Sequence, residues 1–224
     1  MHNQIALVQA LQNRRSVRGF KPDQVEPAVI NEILALANRS PSFTNAQPWE
    51  VAVVTGKTRD ALSKTLLELA SSNAESNPDL ASPTSWPPAI AARTKTHNIN
   101  RFKHLGIGRE DTEKRAQMRL KNYKFFDAPC ALFVFKDEGC GEWSTMDIGG
   151  FTQSIALAAQ AFGLGTCMQA SLTYYPDAVR TALDIPANKK LLVGMSIGVP
   201  NFEAPLNAYH STRIGLDEFV RWYD

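Results

Sequence analysis

Arg14-Arg15-Ser16-Val17-Arg18 gathers three guanidiniums and one hydroxyl into five residues. A guanidinium is a planar fork of donors that pairs bidentately with phosphate or with the heteroatom edge of a flat ring. The serine adds a compact hydroxyl donor. Such a cluster can grip a phosphorylated cofactor and leave one arginine for a second task. Taken alone, the same residues also read as a solvated basic turn.

A second stretch narrows the choice. Ser40-Pro41-Ser42-Phe43-Thr44-Asn45-Ala46-Gln47-Pro48-Trp49 leads directly into Glu50-Val51-Ala52-Val53-Val54, which has the composition of a strand. Pro41 and Pro48 exclude regular structure from the loop between them. Other chemistries find no support in the sequence. His2, His97, His104 and His210 lack metal-ligand spacing, and Cys130, Cys140 and Cys167 are odd in number with no metal pattern. No G-x-S-x-G elbow occurs, and no G-x-G-x-x-G follows a strand. No Rossmann-type dinucleotide site is therefore expected.

Elements must position these residues. Ile5, Val8 and Leu11 recur at helical spacing, so a helix over 5–13 leads into the arginines. Pro27 suits the first turn of a second helix, in which Ile30, Ile33, Leu34 and Ala37 share a face. Leu62, Leu66 and Leu69 outline a third. From about 72 to 108 the chain becomes rich in Pro, Ser, Asn and Thr, but it retains Trp86 and Phe102. It reads either as a disordered linker or as a lid with a helix near 89–101, and the tryptophan and basic residues favour the lid. Residues 110–124 read as a charged helix. The apolar run Cys130-Ala131-Leu132-Phe133-Val134-Phe135 reads as a fully buried strand.

Over 144–162, Ile148, Phe151, Ile155 and Phe162 form one face. Gly149, Gly150, Ser154, Ala158, Ala159 and Ala161 form a face that is small rather than charged. Such a helix is buried on all sides, at a dimer interface or at the centre of a monomer core. Residues 166–169 and 191–198 read as further strands and 176–183 as a helix. Leu216, Phe219, Val220 and Tyr223 suggest a last helical turn or two. The interleaved elements give an α+β or α/β class.

The bulk figures agree with a globular domain. The chain has 224 residues, 44% hydrophobic and 21% charged, with a net charge of +2 from 24 basic and 22 acidic residues. That balance is unlike a dedicated nucleic-acid binder, so no nucleic-acid partner is expected. No apolar run reaches about 18 residues, so no membrane span is expected. Met1-His2-Asn3-Gln4 shows no secretory signal, and buried thiols at Cys130 and Cys167 suit a cytoplasmic location.

The pattern R-R-S-x-R, then S-P-S-x-x-N-x-Q-P-W, then Gly163-Leu164-Gly165-Thr166 and a late Arg213, resembles the nitroreductase family of flavin mononucleotide (FMN) enzymes. The resemblance extends over nearly the whole chain. It implies an α+β fold with a central mixed, mainly antiparallel sheet flanked by helices. It also implies an intertwined homodimer with an exchanged C-terminal arm. Residues 1–224 would form a single FMN-binding domain with a lid-like insertion at about 72–108.

The resemblance further implies roles. Arg14 and Ser16, with Arg15 beside them and Arg213 from the tail, would hold the FMN phosphate. Arg18 would approach N1 and the C2 carbonyl, where a fixed cation stabilises reduced flavin. Pro41, Ser42, Phe43 and Asn45 would reach the partner subunit's flavin, while Gln47 and Trp49 would anchor their loop. Gln169, Ala170 and Ser171 would bring backbone N–H groups near N5. Asn122, with Lys124, would approach the pyrimidine edge. Ala170-Ser171 departs from the Glu-Gly or Gly-Gly of many members. The implied activity is transfer of two electrons from NAD(P)H to a small aromatic acceptor, a nitrobenzoate-like nitroarene, by a ping-pong mechanism with no metal. A flavin or quinone reductase, a reductive dehalogenase, and an FMN-binding protein without turnover remain alternatives of the same fold.

Overall fold

The computed structural model describes residues 7–224. Ile5 and His2 lie outside these residues, as does the stretch read for a secretory signal. The central strand β2 (Cys130–Asp137) explains the rest of the architecture. Side chains of a strand alternate between faces, and here both faces are apolar. Ala131, Phe133 and Phe135 enter one core with Leu62, Leu66, Phe125 and Leu172. Cys130, Leu132 and Val134 enter the other with Ile30, Ile33, Phe151 and Ile155. A strand buried on both faces must be sandwiched between helix layers, which is why its sequence is continuously apolar.

Strand β1 (Glu50–Thr55) pairs with β2, β2 with β4 (Lys189–Gly198), and β4 with β3 (Gly165–Gln169), all antiparallel, in the order β1-β2-β4-β3. A bulge where Val134 and Phe135 face Val193 and Leu191 lets β4 serve both cores. Helices α2 (Pro27–Ala37) and α6 (Glu142–Ala161) cover one face. The other is covered by α3 (Gly56–Ser71), α5 (Thr112–Leu120) and α7 (Pro176–Leu183). The short α1 (Leu7–Asn13) precedes the arginines, and α4 (Pro88–His104) forms the helix of the 72–108 segment. The only parallel pairing among the described residues is an isolated bridge, Ser16 to Thr166, so the sheet is antiparallel except at that point.

Several expectations need correction. The first helix ends before the arginines as expected, but Val8 and Leu11, whose spacing announced it, are exposed and α1 buries only Ala10 among its described residues. The 40–48 loop contains one 3₁₀ turn, Phe43–Asn45, with Thr44 and Asn45 at positive φ. The charged helix is confined to Thr112–Leu120, because a second 3₁₀ turn, Phe125–Asp127, drops Phe125 and Phe126 into the core. Ala159 is fully buried and belongs to the core face of α6, whereas Gly149 and Gly150 are exposed. The tail forms no terminal helix: one 3₁₀ turn, Leu216–Glu218, is followed by exposed Phe219, Trp222 and Tyr223.

The start of the 72–108 segment is tied down by charge. Asp79 Oδ2 accepts from Arg180 Nη1 at 2.6 Å and from the Leu191 amide at 2.8 Å, and both side chains of the ion pair are 9% exposed. Burial opposes the Arg180 charge, but the hydrogen bonds it donates to Asp79 and Asp177 outweigh this and raise its pKa. Removing one partner strands a buried charge. Asp79→Ala should therefore lose about 3–5 kcal/mol in urea unfolding. Asp177→Ala, which removes an exposed carboxylate, should lose under about 1 kcal/mol. Equal losses for the two variants would contradict this assignment.

Candidate active site

The edge strand β3 carries the arginine segment. The Val17 amide donates to Thr166 O at 2.9 Å, and Ser16 forms the parallel bridge with Thr166. Residues 16–18 thus run extended along β3, with Val17 buried in the core and Ser16 and Arg18 turned the other way. The approach needs Gly165. A Cβ there would stand 2.5 Å from Val17 Cγ2 and 2.9 Å from Pro200 Cγ. The next residues are clamped by the buried Asn207. Its Oδ1 accepts from the Arg18 amide at 2.6 Å, and its Nδ2 donates to Gly19 O and Asn201 O, both at 2.8 Å. Asn207 was not singled out from sequence; a lone polar residue in a polar tail gives no signal of burial.

Arg14, Arg15, Ser16 and Arg18 line one cavity of about 1020 Å³, and Arg213 enters it from the C-terminal segment. Burial, and then the charge of Arg213, lower the Arg14 pKa. Arg15 Nη1 lies 2.5 Å from His210 Nε2, and its guanidinium sits over the Phe202 ring at 5.3 Å. Arg213 Nη1 donates to Ser211 Oγ at 2.8 Å and to Thr212 O at 2.9 Å.

Helix α4 adds residues that sequence reasoning missed. His97 lines the cavity, and its ring lies 5.6 Å from that of Tyr209, whose hydroxyl is 3.4 Å from His97 Nδ1. Burial, followed by the charges of Arg101, Arg18 and Arg213, holds the His97 pKa below its ordinary value. Arg101, one turn further on, stacks at 5.2 Å over Phe102; its Nε is buried with no hydrogen-bond acceptor among the described residues. The basic spacing from His97 to Arg101 was present in the sequence, but nothing there aimed it at Arg18.

The other expected residues lie elsewhere in the chain. The Phe43 amide donates to Asp147 Oδ2 at 3.1 Å, and the Phe43 ring stacks on Trp143 at 5.7 Å. Pro41, Ser42, Phe43 and Asn45 therefore stand over α6 and do not line the cavity of their own chain. Trp49 stacks on Phe151 at 4.6 Å and donates to Asn38 Oδ1, and Gln47 donates to Asn45 O, so both residues anchor the loop. Gln169 is buried: Ser196 Oγ donates to its Oε1 at 2.5 Å, and its Nε2 donates to Asn122 O at 3.0 Å and to Asn122 Oδ1 at 3.3 Å. Asn122 is thereby engaged with Gln169 and Arg119 O. Ala170 and Ser171 open the 3₁₀ turn Ala170–Thr173, where the first amides have no intrahelical acceptor.

This donor set fits the FMN that the sequence resemblance implies. Among the described residues, Arg14, Arg15, Arg18, Arg101 and Arg213 form no ion pair with a carboxylate. Cations held together without counter-charges are stabilised by an anion, and the orphaned Arg101 Nε still lacks an acceptor.

Residues 11–199 match the sequence profile of the Nitroreductase family. The chain is 31% identical over 215 residues to nitroreductase NfnB of Mycolicibacterium smegmatis, covering 95% of this chain and 90% of that protein. It is 31% identical over 206 residues to a 4-nitrobenzoate reductase of Pseudomonas putida, covering 90% and 88%. A crystal structure of an FMN- and NADPH-dependent nitroreductase NfnB from Sphigopyxis sp. strain HMH superposes with a TM-score of 0.94 at 30% identity, covering 98% of this chain and all of the other.

An anion that neutralises Arg101, Arg18 and Arg213 removes charges that depress His97. Titration of His97 by NMR should therefore show its pKa rising toward the ordinary histidine value when inorganic phosphate is added, with proton uptake. A His97 midpoint that stays fixed or falls at saturating phosphate would dissociate it from the anion site.

Proposed function

The chain belongs to the Nitroreductase family, and from that premise we propose that it works as an FMN-dependent oxidoreductase acting on nitroaromatic compounds with NAD(P)H as donor. One observation carries the reading: a cavity lined by guanidiniums that pair with no carboxylate among the described residues. When bound, FMN supplies the redox chemistry; the protein binds it, orients it and stabilises charge. Arg14, Arg15, Ser16 and Arg213 hold the phosphate. Arg18, fixed through its amide by Asn207, lies beside the N1–C2 edge. The backbone at Gln169, Ala170 and Ser171 would supply N–H donors to the ring when FMN is bound. Asn122 acts through Gln169 rather than by direct contact.

The reading extends to the assembly. We take the chain to be a single domain whose 72–108 segment is a lid, working as a cytoplasmic homodimer. Exposed apolar residues support the dimer: Leu7 and Val8 on α1, Trp143 and Met146 on α6, and Phe219 and Trp222 in the tail. Gly149 and Gly150 have open space where side chains would stand, so another backbone can approach α6 closely. In that dimer Pro41, Ser42, Phe43 and Asn45 complete the partner's site, and the tail is the exchanged arm. Among the described residues no helix is long and apolar enough to cross a membrane.

The purified protein should be yellow with FMN and should oxidise NAD(P)H in the presence of nitroarenes such as nitrobenzoate. Because donor and acceptor share one cavity, double-reciprocal plots should give parallel lines. Bound FMN with no turnover above free flavin would leave a binding protein instead, and faster turnover with quinones than with any nitroarene would reassign the acceptor. Sedimentation of the FMN-loaded protein should give twice the chain mass, whereas a stable loaded monomer would refute the shared site.

A further inference from the structure

A second cavity lies along α4 and shares no lining residue with the arginine-lined one. Helix α4 gives His97 to the first cavity. Lys95, Asn98, Ile99, Phe102 and Lys103 recur at three- and four-residue steps on its opposite side and line the second. With the loop 106–111 and Arg115 of α5 they enclose about 800 Å³, the size of a small-molecule site. Ile99, Phe102 and Ile107 are its apolar lining. Its charged lining is four cations, Lys95, Lys103, Arg109 and Arg115, and two carboxylates, Glu110 and Asp111. Asp111 is already engaged: its Oδ2 accepts from the Gly108 amide at 2.7 Å, and its Oδ1 lies 3.6 Å from Lys114 Nζ, outside the lining. None of the four cations pairs with a carboxylate among the described residues. The cavity thus sets a surplus of positive charge beside apolar surface.

Arg115 is the prepared member of the set. Its Nε donates to Gly108 O at 2.7 Å, and its guanidinium lies over the Phe102 ring at 4.1 Å. The Gly108 that receives it is itself pinned through its amide by Asp111. These contacts hold the planar fork in place and leave its two terminal nitrogens without an acceptor among the described residues. A guanidinium so held can take a carboxylate through parallel N–H···O bonds, with less side-chain freedom left to lose. We propose that this second cavity binds a small aromatic carboxylate, with the carboxylate on the Arg115 fork and the ring against Ile99 and Ile107. Glu110 favours a single negative charge over two. It is an exposed carboxylate with no ion pair among the described residues, and it repels a dianionic phosphate ester more than a monoanion. The inference does not depend on the cofactor reading. On the function proposed above, a nitrobenzoate and its reduced product both belong to this ligand class, and α4 would hold one of them apart from the flavin.

The test titrates benzoate into the FMN-loaded protein and follows the methyl NMR signals of Ile99 and Ile107, the ring signals of His97 and the flavin absorbance. The two methyl signals should shift along one saturable curve. Benzamide, which lacks the charge, and acetate, which lacks the ring, should each bind at least about tenfold more weakly. Arg115→Gln should weaken benzoate by about the same factor. Methyl signals that stay fixed overturn the proposal, and a response of His97 or the flavin alone would place benzoate in the first cavity. Benzamide or acetate binding as well as benzoate would overturn it too, because the site would then read only a ring or only a charge. Unchanged affinity in Arg115→Gln has the same force. Should Arg115→Gln fail to fold, the exposed pair Lys103→Gln and Arg109→Gln decides together: weaker benzoate binding supports the proposal, and unchanged binding overturns it.

Discussion

Like charges brought together without counter-charges are the constraint that shapes this molecule. Four arginines of one cavity, Arg14, Arg15, Arg18 and Arg213, come from two separate stretches of chain, and none is paired with a carboxylate among the described residues. Their mutual repulsion works against the compact state until an anion arrives. The fold must therefore hold them by neutral means. It does so with backbone hydrogen bonds to Thr166, a buried Val17, and the three hydrogen bonds of Asn207. These contacts fall on the backbone and on Val17 rather than on the guanidiniums, whose own hydrogen bonds go to neutral groups such as His210, Ser211 and Thr212.

Rigidity of this kind must come from beneath the site. Strand β3 is the sheet edge, and an unpaired edge would be a poor platform. The arginine segment itself covers part of that edge through Ser16, and Phe20 bridges to Pro200 just past the end of β4. Inside β3, β4 is paired on both sides and β2 is apolar on both faces, so displacement of the edge would disturb two cores at once. Gly165 is the point where platform and site meet. Its missing side chain is occupied by Val17, and this lets one apolar contact set the height of Ser16 and Arg18 above the sheet.

Local features were legible in the sequence and non-local ones were not. The R-R-S-x-R cluster, the proline-flanked loop before β1, the two-faced strand β2 and the helix opened by Pro176 all declare themselves within a few residues, through charge, turn chemistry or periodicity. Asn207 binds the backbone of residues 18 and 19 from about 190 positions away, and no periodicity can announce that. His97 and Arg101 were hidden differently. Their helix was expected, but an amphipathic pattern tells which residues share a face, not which cavity the face meets. The tail misled for a third reason. Leu216, Phe219, Val220 and Tyr223 have helical spacing, yet isolated helices of under about 12 residues are marginal without tertiary contacts, and here Leu216, Phe219 and Tyr223 are mostly exposed.

That last failure bears on the assembly. A tail with three exposed aromatics, Phe219, Trp222 and Tyr223, is unfavourable to leave in water, because burying each large apolar side chain is worth about 1.5–3 kcal/mol. The exposed residues on α1 and α6 and the Phe43–Trp143 stack present the same demand elsewhere on the surface. The cavity has its cations from its own chain, but the loop bearing Pro41, Ser42, Phe43 and Asn45 is held over α6, on the side where Gly149 and Gly150 leave room for another backbone. One packing event can then satisfy all of these demands. A second copy laid along α6 covers the apolar surface, gives the tail something to fold against and brings the loop to a neighbouring cavity. On the proposed reading, assembly and site completion are the same step, and the unpaired arginines are the half of the site that each chain makes alone.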